Sequence, residues 1–128
     1  MHVGRMPEHI NAELAIFKIL NQSKEFTLVS KAGTKKIPIS KIIWEEAKIG
    51  DTSMRADMLI LDNNGKKYFL EIVNTNPISS KKIQIYKTGL NGVGIYITIQ
   101  NLIFGVSLKK QEKIISDYIR RNGFLLIE

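Results

Sequence analysis

Cysteine is absent from this chain of 128 residues, which removes disulfides, thiolate metal sites and cysteine nucleophiles together. No apolar run exceeds about five residues, far short of the ~20 that a membrane-spanning helix needs. The opening stretch from Met1 to Pro7 lacks the apolar segment of a secretory signal, so a soluble protein in a reducing cytoplasm is the expectation. Proline is scarce, and no low-complexity stretch, internal repeat or linker interrupts the chain. One domain over residues 1–128 is expected, large enough to bury roughly two-thirds of its unfolded surface. Aromatic residues are few, and Tyr68, Phe69 and Tyr86 show no spacing that calls for a base-stacking platform. Acidic residues are the scarcer charge, 12 against 19 basic, which leaves a net charge of +7. Such an excess favours contact with an anion, most commonly nucleic acid, although a merely basic surface has the same composition. The lysine pairs Lys35-Lys36, Lys66-Lys67, Lys81-Lys82 and Lys109-Lys110 are scattered, which excludes an extended basic arm.

What is present is a regular alternation of elements. Pro7 suits a first helical turn, and Ile10, Leu14, Phe17 and Leu20 recur at three- and four-residue spacing, so Pro7 to about Gln22 reads as an amphipathic helix. Phe26 to Ser30 reads as a strand, with a turn around Lys31-Ala32-Gly33. A second extended run lies between Ile37 and Ile49, with Trp44 a candidate core residue and Gly50-Asp51 closing the run. Arg55 to Leu61 and Lys67 to Val73 form a hairpin joined by Asp62-Asn63-Asn64-Gly65, because Asn-Gly accepts the positive backbone angles of tight turns. Ser79 or Ser80 can cap a short helix ending at Gly89. Gly94 to Gln100 is β-rich, Ser107 opens a last helix to about Asn122, and Phe124 to Ile127 reads as a short edge strand. Strand, helix and strand in succession imply a crossover and a parallel pair, giving a mixed sheet with helices on its faces.

The hairpin carries the chemistry. Asp57 begins one strand and Glu71 lies near the end of the next, with thirteen residues between them, so antiparallel pairing brings both acids to one end. Each interrupts an apolar stretch, and a carboxylate buried in a strand costs several kilocalories per mole unless its charge is compensated. A divalent cation would compensate both, and magnesium accepts one or two carboxylates while keeping several waters. Structural ion pairing is the alternative, and Arg55 could itself neutralise one acid.

The run Arg55-Ala56-Asp57-Met58-Leu59-Ile60, a turn, then Leu70-Glu71-Ile72-Val73 resembles the Asp…Glu-x-Lys hairpin of PD-(D/E)XK nucleases. The continuation Asn74-Thr75-Asn76-Pro77-Ile78-Ser79, with Lys82 and Tyr86 beyond it, is similar to the nuclease domain of competence CoiA-like proteins. Glu8-His9 with Ala12, Ile16 and Leu20 resembles the opening helix of that group. Three positions depart from the pattern: Val73 stands where lysine is usual, Asn76 where histidine is common, and Glu13 where lysine is frequent.

The resemblance implies an α/β fold, a restriction-endonuclease-like mixed β-sheet core flanked by helices. It implies a metal-dependent DNA endonuclease that hydrolyses phosphodiester bonds with Mg2+ or Mn2+. Asp57, Glu71 and the carbonyl of Ile72 would hold the ion, and Lys82, from the following helix, would stand in for the lysine missing at Val73. Glu46 and Glu13 are candidate further acids, Arg55, Thr75 and Asn76 candidate accessory residues, and Lys109, Lys110, Arg120 and Arg121 candidate phosphate contacts. For Glu13 an exposed helical glutamate is the competing reading, for Thr75 and Asn76 a simple turn, and for His9 a structural or surface histidine. A nuclease fold that binds nucleic acid or a protein partner without cutting is the alternative function. Small nucleases of this kind often act as dimers, so a homodimer or a larger nucleic-acid-processing assembly is implied, without any dimerisation signature.

Overall fold

The computed structural model describes residues 7–49, 54–74, 76–88, 92–99, 102 and 105–128. In chain order the elements are α1 (Pro7–Ser23), β1 (Glu25–Ser30), β2 (Gly33–Lys48), β3 (Arg55–Asp62), β4 (Lys67–Val73), α2 (Ser80–Lys87), β5 (Gly92–Thr98), α3 (Leu108–Asn122) and β6 (Phe124–Leu126). The hairpin, the crossover and all three helices fall where the sequence puts them. Gly50, Asp51 and Gly89 lie outside the described residues.

The open, restriction-endonuclease-like sheet expected from the sequence is corrected by the topology: the six strands close into a barrel in the order β1 to β6. The cause is β6, expected as an edge strand but paired on both sides. It runs antiparallel to β5 through Ile95↔Leu126 and parallel to β1 through Leu28↔Phe124. Gly123 makes this possible. It ends α3 at a φ of 65°, and a Cβ there would stand 2.7 Å from the Thr27 carbonyl oxygen, so only glycine lets the chain turn into β6 this close to β1. The barrel is mixed, because β4 and β5 run parallel through the α2 crossover, as anticipated.

Two further corrections concern boundaries and faces. β2 begins at Gly33 rather than Ile37, its polar start paired with β1 from Ser30↔Gly33 to Glu25↔Pro38. Backbone ladder bonds, not burial of Lys35 and Lys36, extend it. On α1 the buried residues are Ala12, Glu13, Ala15, Ile16 and Leu20, whereas Leu14, placed on the apolar stripe from sequence, is 41% exposed.

Along β4 the side chains alternate between two apolar clusters. Tyr68, Leu70 and Ile72 of β4 join α1, α3 and Phe124 in the larger cluster, and Phe69 joins Leu59, Ala56 and Tyr86 of α2 in the smaller. Glu71 shares the side of Phe69, so the α2 helix packs over the acid. Burying one of these β4 side chains contributes roughly 1.5–3 kcal/mol, and that holds the site's backbone.

Candidate active site

The β3–β4 hairpin turn is built by Asp62, whose Oδ1 accepts from the backbone N–H groups of Asn64 and Lys66 at 2.8 and 2.9 Å, with Gly65 at a φ of 79°. From there the ladder runs from Leu61↔Lys67 to Met58↔Leu70. The next two residues are Asp57 and Glu71. At this point side chains take over from the ladder: Asp57 Oδ2 accepts the N–H of Ile72 at 2.7 Å.

The orientation of Ile72 follows from the same bond. Val73 turns its carbonyl to the β5 side, where it accepts from Ile99, the residue after that strand, at 2.8 Å. Successive residues of a strand point their backbone groups to opposite neighbours, so the N–H and carbonyl of Ile72 both face the Asp57 side. Asp57, Glu71 and Ile72, the residues expected to supply the donors, line one cleft.

Lys82 arrives from α2. Ser79 caps that helix, its hydroxyl accepting from Lys82 N at 3.2 Å. The Lys82 ammonium donates to Glu71 Oε1 at 3.1 Å and to the Arg55 carbonyl at 2.8 Å. Lysine thus reaches the acid from the helix, while Val73 occupies the strand position. The other Glu71 oxygen accepts a hydrogen bond from the Tyr86 hydroxyl. Tyr86 packs over Gly94, where a Cβ would come within 2.5 Å of its ring, so the glycine on β5 makes room for the ring that holds the acid.

A cleft of about 320 Å3 opens here, lined by His9, Asp57, Glu71, Ile72, Val73, Asn76, Lys82 and the Pro77–Ser79 turn. His9 and Glu13 sit one helical turn apart on α1. His9 Nε2 is 3.1 Å from Asp57 Oδ1 and 3.6 Å from Glu13 Oε2. Glu13 is fully buried, not a surface glutamate, and its Oε1 accepts from the Trp44 indole N–H at 3.0 Å. Trp44 itself stacks on Phe17, ring centres 5.2 Å apart.

The two acids differ electrostatically. Burial works against charge on Asp57, but the His9 and Ile72 hydrogen bonds and the charges of His9 and Lys82 outweigh it, holding the carboxyl below the usual range. Burial dominates at Glu71 and pushes its carboxyl up. Lys82 and Tyr86 oppose the rise, and the neighbouring Asp57 charge adds to it. Burial and the Glu71 charge push the Tyr86 hydroxyl far upward, so it stays a donor.

Other sequence candidates stand apart. Arg55 is exposed and contributes its carbonyl; among the described residues its guanidinium pairs with neither acid. Glu46 belongs to β2 within the register shift between Trp44 and Ala47, and its side chain lies outside the described residues, as does Thr75. Asn76 lines the cleft. Lys109, Lys110, Arg120 and Arg121 are exposed on α3 and do not line it. Arg120 instead meets Asp117 at 3.3 Å. Sequence reasoning left His9 as a structural or surface residue and gave Tyr86 no role at the acid. The Glu8-His9 pairing and the i, i+4 spacing of His9 and Glu13 were the available signals. Comparison of the chain with protein-family models, with curated proteins and with solved structures finds no match.

Proposed function

We propose that the protein is a metal-dependent nuclease domain that hydrolyses phosphodiester bonds in DNA, with a site of PD-(D/E)XK type mounted on a closed barrel. The observation that carries this reading is the convergence of Asp57, Glu71 and Lys82 in one cleft, the lysine reaching Glu71 at 3.1 Å from a helix instead of from the strand. The donors suit a hard divalent cation: two carboxylates and a carbonyl are all oxygen, one acid is kept ionised, and waters can fill the remaining positions. Magnesium or manganese, when bound by Asp57, Glu71 and the Ile72 carbonyl, supplies charge neutralisation at the phosphodiester and a more acidic water.

The residues of the chain do the rest. The Ile72 N–H fixes the Asp57 carboxylate, and Tyr86 and Lys82 fix Glu71. The Lys82 ammonium, held by the Arg55 carbonyl, faces the cleft where it orients a water and offsets charge developing on phosphate oxygens. The exposed bases of α3 extend the positive surface, and their contribution is to affinity, which falls with salt.

Plasmid and oligonucleotide cleavage with magnesium or manganese tests the reading. The parent is expected to nick DNA, Asp57→Ala to lose the activity, and Lys82→Met to lose about 100-fold or more while binding DNA nearly as before. Cleavage by Asp57→Ala at the parental rate would refute it. A second reading, a domain that binds nucleic acid or a protein partner without cutting, is favoured by Val73 at the usual lysine position and by Lys82 already engaged between Glu71 and Arg55. It predicts salt-sensitive binding, or a stable protein partner, with no metal-dependent product.

A further inference from the structure

His9, Glu13 and Asp57 form a second donor set beside the all-oxygen one. Their ligand atoms lie within 4.8 Å of one another. Neighbouring donors round an ion with bonds near 2.1 Å stand about 3.0–3.5 Å apart. The His9 Nε2 to Asp57 Oδ1 distance of 3.1 Å and the His9 Nε2 to Glu13 Oε2 distance of 3.6 Å are close to that span. The helix supplies two donors at i, i+4, which project from one face. The strand supplies the third, so the set does not depend on one flexible segment.

Its supports are built in. Trp44 holds the opposite oxygen of Glu13 at 3.0 Å, and the Ile72 N–H holds the opposite oxygen of Asp57 at 2.7 Å. Each carboxylate is therefore oriented by a donor on one oxygen while the other faces His9, the outer-shell arrangement that fixes metal ligands. The cleft gives access, because His9 and Asp57 line it.

The chemistry of the set selects the ion. An imidazole nitrogen with two carboxylates suits manganese, zinc and related transition ions, whereas magnesium keeps to oxygen ligands. We propose that His9, Glu13 and Asp57 form a nitrogen-containing site for a transition-metal ion of the manganese or zinc class, sharing Asp57 with the all-oxygen set. The site does not require the hydrolytic reading, since it stands on donor geometry alone.

Manganese binding to the full chain, followed by calorimetry and by pulsed electron paramagnetic resonance, tests it without DNA. The parent is expected to show coupling of bound Mn2+ to an imidazole nitrogen. His2→Ala should retain that signal and His9→Ala should lose it, these being the chain's two histidines. His9→Ala should also weaken Mn2+ about tenfold or more, with Mg2+ changed far less. Glu71→Gln should keep the nitrogen coupling. The proposal is overturned if parental Mn2+ shows no nitrogen coupling, if the coupling depends on His2, or if no manganese binds. The parental spectrum decides this even where a variant folds poorly. Nitrogen-coupled manganese in a protein that cuts no DNA would leave this site standing and remove the nuclease reading; cleavage without the coupling would do the reverse.

Discussion

Tyr86→Phe removes one oxygen from the site and leaves everything else the ring does. The ring still packs over Gly94 and against Phe69, 6.1 Å centre to centre, so no cavity opens and the change reports on one hydrogen bond. Its partner, Glu71, is 5% exposed, so water cannot readily replace the lost donor. A hydrogen bond to a buried charged group contributes about 1.5–3 kcal/mol, which for a domain of this size corresponds to roughly 5–10 °C in Tm. The loss depends on pH. Burial raises the folded-state pKa of Glu71 above the usual 4.5, so protonated Glu71 favours the folded state. That contribution is full below the unfolded value and is lost as pH rises through the folded one. Removing a donor to the carboxylate raises the folded pKa further. The penalty of Tyr86→Phe is therefore largest near neutral pH and shrinks toward pH 4. Urea denaturation with chelator present, at a series of pH values, measures it, with unchanged m-values as the control. A destabilisation under about 0.5 kcal/mol at neutral pH, or one independent of pH, would refute the reasoning.

Gly123→Ala is expected to destabilise by about 2 kcal/mol or more, since it strains a φ of 65° and drives a Cβ to 2.7 Å from the Thr27 carbonyl; equilibrium unfolding measures it. Asp57 behaves oppositely to Glu71. Its folded pKa lies below 3.8, so its contribution is present above that value and lost as pH falls through the folded one. Asp57→Asn should flatten this acid limb in a chelator-containing pH titration of stability. Lys109→Ala with Lys110→Ala should lower the slope of log K against log salt for DNA binding by roughly one per lysine, without changing metal affinity.

The local parts of the site were legible in the sequence because their causes are local. Asn64-Gly65 favours a hairpin turn, and the apolar-rich run of Lys67–Val73 marks a buried strand. A hairpin of that length sets Asp57 beside Glu71. Ser79 or Ser80 signals the start of α2, but Lys82 was singled out on that helix by the resemblance, and its 3.1 Å contact with Glu71 belongs to the structure. His9 was not legible as a site residue, since its partner Asp57 is 48 residues away and no local pattern announces the meeting. Glu13 stood open between a further acid of the site and an exposed helical glutamate, because the apolar stripe through Ile10, Leu14 and Phe17 marked a neighbouring face of the helix. The face that turns inward is decided by what packs on it, here Trp44 with its indole N–H.

By itself, then, the sequence determined the elements, the β4–α2–β5 crossover and the placing of two acids at one end of a hairpin, all set by turn chemistry, capping and periodicity over short spans. Tertiary structure alone decided that the sheet closes. β6 is three residues long, too short for its own pattern to say whether it ends a sheet or joins two edges. That outcome depends on the left-handed turn at Gly123 and on its close approach to β1. Tertiary structure also decided that α1 brings His9 and Glu13 to Asp57, because those contacts form only when helix and barrel share one core.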